Sequence, residues 1–250
     1  MHIPSFARSI LQGFLVFAAL VCVIFLAILT INFTFRRRAE KLLEDIRTLR
    51  PGQSTRADVE RIMWQHGGGP SGATASFCSP SDGAYGVWVG SQTLNRIGRS
   101  APLLRYLGLR QWGTTGTVIL REGQVCFVQY AVGMAGPIGK LDWNIDTELL
   151  PDEDIDISMG QPARYKVNTR DYKGVRRVHS ELTPKATAEE RRRAFTYDFS
   201  CLTSMRGCQQ PCEFSPLVWQ DIYLQSLQSG YALPAEEMNA VECKVRVASH

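Results

Sequence analysis

Beyond an apolar N-terminal run that contains Cys22, the chain carries six cysteines: Cys78, Cys126, Cys201, Cys208, Cys212 and Cys243. An even number suits a disulfide-paired domain in an oxidising compartment, and disulfides tying the Cys201 to Cys212 turn to neighbouring strands are the leading expectation. Unpaired buried cysteines are the main alternative, because a thiol packs as a small hydrophobe. Cys201, Cys208, Cys212 and Cys243, with His179 as a substitute, also have the residue types of a structural zinc site. Structural zinc takes paired ligands about two to four residues apart, however, and only Cys208 and Cys212 approach that spacing. No C-x-x-C occurs to support redox catalysis.

Acid–base catalysis near neutral pH usually rests on histidine. His2 and His250 lie at the chain ends, which leaves His66 and His179, and neither has an identifiable nucleophile beside it in the sequence. His66-Gly67-Gly68-Gly69 has the composition of an esterase oxyanion loop, but no G-x-S-x-G accompanies it. Gly67, Gly69 and Gly72 satisfy G-x-G-x-x-G without the preceding strand that a dinucleotide site requires, so a glycine helix stop explains the run better. Gly139-Lys140 lacks the upstream glycine and the following hydroxyl of a phosphate loop, Met134 and Leu141 standing there. Asp152, Asp154 and Asp156 alternate as in a calcium loop, but Ile157 and Ala163 replace its glycine and glutamate. No catalytic residue is assigned, and neither a cofactor nor a metal is expected.

Hydrophobic residues at 44% and charged residues at 21% match an ordinary globular domain. The formal charge of +4 owes much to Arg36, Arg37 and Arg38 beside the apolar run and to Arg191, Arg192 and Arg193 behind Glu189 and Glu190. These read as a membrane flank and a solvated helix face. Without arginine stripes interleaved with stacking aromatics, no nucleic-acid partner is expected.

The elements that would position these residues begin with a short tail, 1–8, and an uncharged stretch, 9–35. At about 1.5 Å per residue that stretch is longer than the roughly 30 Å hydrocarbon core, so a transmembrane helix with the lipid bilayer as its partner is predicted. A cleaved signal peptide would have a shorter apolar region ending in small residues, whereas Ile31-Asn32-Phe33-Thr34-Phe35 leads into Arg36. Leu42, Leu43, Ile46 and Leu49 keep helical spacing, so 36–50 is expected as an amphipathic juxtamembrane helix stopped by Pro51-Gly52. The orientation signals oppose one another. Arg36, Arg37, Arg38, Lys41 and Arg47 outnumber Arg8 and argue for a cytoplasmic domain, whereas the cysteines argue for an extracytoplasmic one and tip the expectation outward.

Residues 51–250 read as one α+β domain of antiparallel hairpins and a few helices. Ser54 or Thr55 offers an N-cap, with Asp58 three residues beyond Thr55, for a helix carrying Val59, Ile62, Met63 and His66. Phe77 and Tyr85 to Val89 suggest short strands. A hairpin is expected from 117–120 and 125–130 around Glu122-Gly123, and a second from 164–167 and 175–179. The acidic stretch 142–156 reads as a surface loop. Ala186 to Arg193 reads as a capped helix, 195–199 as a half-buried strand and 217–227 as a closing helix, which together point to an antiparallel sheet.

Two stretches resemble known proteins. Leu49-Arg50-Pro51-Gly52-Gln53-Ser54-Thr55-Arg56-Ala57-Asp58-Val59 resembles the entry to the first helix of the small outer-membrane-assembly lipoproteins. A membrane anchor stands here in place of their lipidated cysteine, and no function is carried over. Ala194 to Ser204, with Gly207-Cys208 and Cys212, resembles a block in uncharacterised bacterial single-pass membrane-anchored proteins. That resemblance implies an envelope protein, anchored in the bacterial inner membrane, and supplies no activity. The expected function is a non-enzymatic, membrane-tethered module that binds another envelope protein or component. The alternative is an anchored hydrolase or thiol enzyme using Cys208, Cys212 or His179.

Overall fold

The computed structural model describes residues 5–101, 111–135, 142–151, 165–172, 175–204, 206–208 and 210–229. Helix α1 (Ser5–Ile46) runs without a break from the apolar stretch into the domain. It is the one helix among the described residues long and apolar enough to cross a membrane, and Phe14, Val16, Leu20 and Val23 expose most of their surface. Its last turns do not stand clear of the domain. Ala39, Leu42, Leu43 and Ile46, with Leu49 just beyond, are buried in the main core. The amphipathic spacing over 36–50 therefore marks a face packed on the sheet.

Helix α2 (Arg56–Gln65) begins as expected at Thr55, whose side chain accepts the Asp58 N–H while the Asp58 carboxylate accepts from the Thr55 N–H. It ends at His66 and at Gly67, whose φ of +76° favours glycine. Strand β1 (Gly69–Ser71), a 3-10 turn over Ser76–Cys78 and β2 (Gly83–Gly90) follow, then α3 (Gln92–Ser100) capped by Ser91. Strands β3 (Trp112–Arg121) and β4 (Gln124–Met134) form the first hairpin, turning on Glu122 and Gly123, both at positive φ. The Asp82 carboxylate accepts the N–H groups of both turn residues.

Two expectations are corrected in this region. The acidic stretch is not a loop from its start: Asp142–Leu149 is strand β5, in the interior of the sheet, because Trp143, Ile145, Thr147 and Leu149 alternate inward and bury themselves in the core. The sheet is also not wholly antiparallel. Strands β6 (Tyr165–Tyr172) and β7 (Val175–Leu182) form the second hairpin, and β7 lies parallel to β5. The seven strands run in the order β1-β2-β3-β4-β5-β7-β6, so β5 and β6, consecutive in sequence, have β7 between them in the sheet.

Helices α4 (Ala188–Ala194), α5 (Ser200–Thr203), α6 (Pro211–Phe214) and α7 (Pro216–Ser229) complete the layer on the face that carries α1. Residues 195–199 are irregular chain and not the expected strand. Their aromatics would gain nothing from a ladder; Tyr197 stacks on Phe214 at 5.1 Å and on Tyr130 at 5.8 Å, while Phe199 meets Phe214 edge-on at 5.2 Å. Asp152, Asp154 and Asp156, Gly139-Lys140, Cys243, His2 and His250 lie outside the described residues.

Candidate functional site: the polar face of the sheet

A strand places successive side chains on opposite faces, so the sheet has two. Helix α1 and its neighbours cover one. On the other, β5 presents Asn144, Asp146 and Glu148, and β7 presents Arg177, His179 and Glu181. Their parallel register sets Asn144 beside Arg177, Asp146 beside His179 and Glu148 beside Glu181. Gln129 of β4 is the partner of Glu148 on the other side.

His179 is at the centre of this cluster and is 9% exposed; Asp146 is wholly buried. His179 Nδ1 is hydrogen-bonded to Asp146 Oδ2, Nε2 lies 2.9 Å from Glu181 Oε1, and Glu148 Oε2 is 3.6 Å from the same nitrogen. Arg177 grips Asp146 with two parallel bonds, Nε to Oδ1 and Nη2 to Oδ2, each 2.8 Å. Gln129 Nε2 donates to Glu148 Oε1 at 2.7 Å, and Arg177 Nη2 approaches that oxygen at 3.4 Å.

The electrostatics follow from this crowding. Desolvation acts to lower the His179 pKa, but the hydrogen bonds to Asp146 and Glu181 and the charges of Asp146 and Glu148 outweigh it and raise the value to about 9. Desolvation alone would raise Asp146, yet Arg177 and His179 hold it below the usual carboxylate range. The hydrogen bond from His179 lowers Glu181, whereas burial raises Glu148. The ring is thus held as an imidazolium at neutral pH, and its described partners are all carboxylates. No hydroxyl or thiol lies among these described partners for the ring to activate. The cluster has instead the donors of a cation site: ligand atoms of Asp146, Glu148 and His179 all lie within 4.8 Å of one another.

The other candidates fall elsewhere. His66, 6% exposed, closes α2 and ties it to α1 through Nε2 to Asp45 Oδ2 at 2.7 Å. The Gly67 and Gly68 N–H groups are spent on Trp64 and Met63 carbonyls, which leaves no oxyanion cradle in that run. Cys78 is bonded to Cys126 and Cys201 to Cys208; Cys212 is also disulfide-bonded. No thiolate is therefore present at Cys208 or Cys212. Among the described residues the free cysteine is Cys22, in the apolar helix.

Sequence reasoning missed Asp146, Glu148, Arg177 and Glu181. The signal is present, since residues 142–149 alternate polar and apolar, but their acidic content imitates a surface loop. A second feature of the same face has a similar origin. Gly90, Gly113 and Gly133 stand in one register row across β2, β3 and β4, with Asn144 next on β5. Three adjacent strands without side chains leave a trough of about 230 Å³, bordered by Trp88, Asn95, Gln111 and Asn144. Trp88 lies flat across Gly113, where a Cβ would sit 2.2 Å from the indole.

Fold and site together define an α+β domain with a mixed sheet, one face packed on an apolar N-terminal helix and the other carrying a buried carboxylate–histidine–arginine cluster. No family model matches the chain, and no curated protein and no solved structure matches it.

Proposed function

We propose that the chain is a single-pass protein of the bacterial inner membrane whose extracytoplasmic domain is a non-enzymatic module binding another envelope component through the polar face of its sheet. The observation that carries this reading is the face itself. It holds polar side chains, a trough and a flat exposed indole, while its histidine meets carboxylates and no nucleophile. Aromatic faces rimmed by carboxamides and a few charges suit recognition better than bond making. Two disulfides among the described cysteines favour the oxidising side of the membrane. The arginines after the span argue less strongly than their number suggests, because the fold uses them. Arg36 pairs with Glu40 at 2.7 Å and reaches Thr203, Arg37 stacks on Phe33 at 4.5 Å, and Arg38 donates to the His66 carbonyl at 3.4 Å.

Alkylation of spheroplasts with a membrane-impermeant maleimide tests the orientation: labelling of the domain cysteines is expected only after reductant, with the inner membrane intact. Labelling without reductant, and only after permeabilisation, overturns it. A photo-crosslinking residue at position 133, where nothing lies within 4 Å of a Cβ, tests the binding face. An adduct with an envelope component that is lost in Trp88→Ala is expected, and no adduct in growing cells counts against the module.

A further inference from the structure

We propose that His179, Glu148 and Glu181 form a binding site for a divalent transition-metal ion, zinc in the first instance, with Asp146 as the positioning residue behind the histidine. The ligands of a tetrahedral ion bound at about 2.0–2.2 Å stand roughly 3.3–3.6 Å apart. His179 Nε2 lies 2.9 Å from Glu181 Oε1 and 3.6 Å from Glu148 Oε2, so this nitrogen faces both carboxylates, and ligand atoms of His179, Glu148 and Asp146 lie within 4.8 Å of one another. The other atoms of these groups are already arranged for such a site. Glu148 Oε1 takes Gln129 and Arg177 and leaves Oε2 on the side of the ring. Nδ1 is held by a carboxylate that is wholly buried and clamped by Arg177, the arrangement that fixes the tautomer of a metal-bound histidine and increases its basicity.

Charge favours such an ion. Three carboxylates, those of Asp146, Glu148 and Glu181, gather around one imidazole and the Arg177 guanidinium, an excess of negative charge that a divalent cation would offset. Lys166, the β6 partner of Glu181, is a further cation beside the group among the described residues. One imidazole nitrogen with carboxylate oxygens selects zinc and its neighbours over calcium or magnesium, which prefer oxygen alone.

The test is calorimetric titration of the full, untagged chain in detergent micelles after chelator treatment, with zinc chloride and with magnesium and calcium chlorides for comparison. One zinc per chain is expected, binding more weakly as the pH falls because protons compete with the metal for its imidazole and carboxylate ligands. His179→Gln and Glu148→Gln lose this binding, and Asp146→Asn keeps the stoichiometry with affinity about 10–100-fold lower. Circular dichroism identifies any variant that fails to fold, and Glu148→Gln, at the partly exposed rim, is the variant on which the conclusion rests. A visible cobalt(II) spectrum in the wild type that is absent in folded Glu148→Gln supports the site. Zinc binding that is absent in the wild type, or unchanged in folded Glu148→Gln, overturns it.

Discussion

Raising the pH should loosen the domain through His179, and removing that ring should abolish the effect. The folded-state pKa of His179 stands at about 9 against an ordinary 6.5. Its stabilisation is therefore fully present below pH 6.5 and is lost as the pH rises through about 9. Each pKa unit is worth about 1.4 kcal/mol, so the group contributes about 3 kcal/mol at pH 6. Its side chain is 11% exposed, so solvent screening takes little from that figure. Asp146 and Glu181, whose pKa values are lowered, contribute stability that is present above the normal carboxylate range and lost only as pH falls through it. They take no part in the alkaline window, where Tyr130, Tyr165 and Tyr197, whose pKa values burial raises from 10.0, add a smaller loss that His179→Gln shares. For a domain of this size 1 kcal/mol corresponds to about 2–4 °C in Tm, so the wild type should lose roughly 6–12 °C between pH 6 and pH 10. Thermal unfolding of the full chain in detergent with chelator measures this, with His179→Gln as the reference for every other alkaline titration. Equal losses in wild type and His179→Gln would refute the assignment of the charge to this ring.

Three further outcomes are expected. The Cys78–Cys126 bond closes a loop of 48 residues and Cys201–Cys208 one of 7, so replacing the first pair by serine should cost about 4 kcal/mol and the second about 2.5, as read by urea denaturation without reductant. A Cβ at Gly116 would sit 2.2 Å from Ile46 Cδ1; Gly116→Ala should cost about 1–3 kcal/mol, and Ile46→Val, which removes that methyl, should recover part of it in a double-mutant cycle. Gly133→Ala should change stability by less than about 0.5 kcal/mol, whereas Gly113→Ala must lift Trp88 from its bed and shift the tryptophan emission.

Local chemistry was legible where a signal is self-contained. The Thr55 to Asp58 box, the Glu122-Gly123 turn, the second hairpin and the closing helix could be read from the chain because each depends on residues a few positions apart. What escaped depends on partners far away in sequence. Nothing near Asp142 announces that β5 will be flanked by β4 and β7, and only those neighbours let a strand with three acidic residues lie inside a sheet: Gln129 on one side, Arg177 and His179 on the other. The site was invisible for the same reason. His179 and Asp146 are 33 positions apart and meet only because β7 lies parallel to β5. Residues 195–199 misled in the opposite sense, since their alternating pattern imitates a strand while stacking on Phe214 and Tyr130 determines their path.

Helix α1 is at once the candidate membrane segment and part of the core, and this places the domain boundary earlier than Pro51. A fragment 51–250 forfeits Leu42, Leu43, Ile46 and Leu49, each at most 7% exposed. It also strands the fully buried Tyr130 hydroxyl, which donates to the Ala39 carbonyl at 3.0 Å. Full burial of such a side chain is worth about 1.5–3 kcal/mol, so the four together supply roughly 6–12 kcal/mol, as much as the whole stability of an ordinary domain. A fragment 36–250 keeps all of them. Expressed in an oxidising compartment, 36–250 should give a cooperative unfolding transition and 51–250 should be degraded or aggregate. A folded 51–250 would show that the sheet covers its core without the helix, and the anchor would then be a tether and not a structural element.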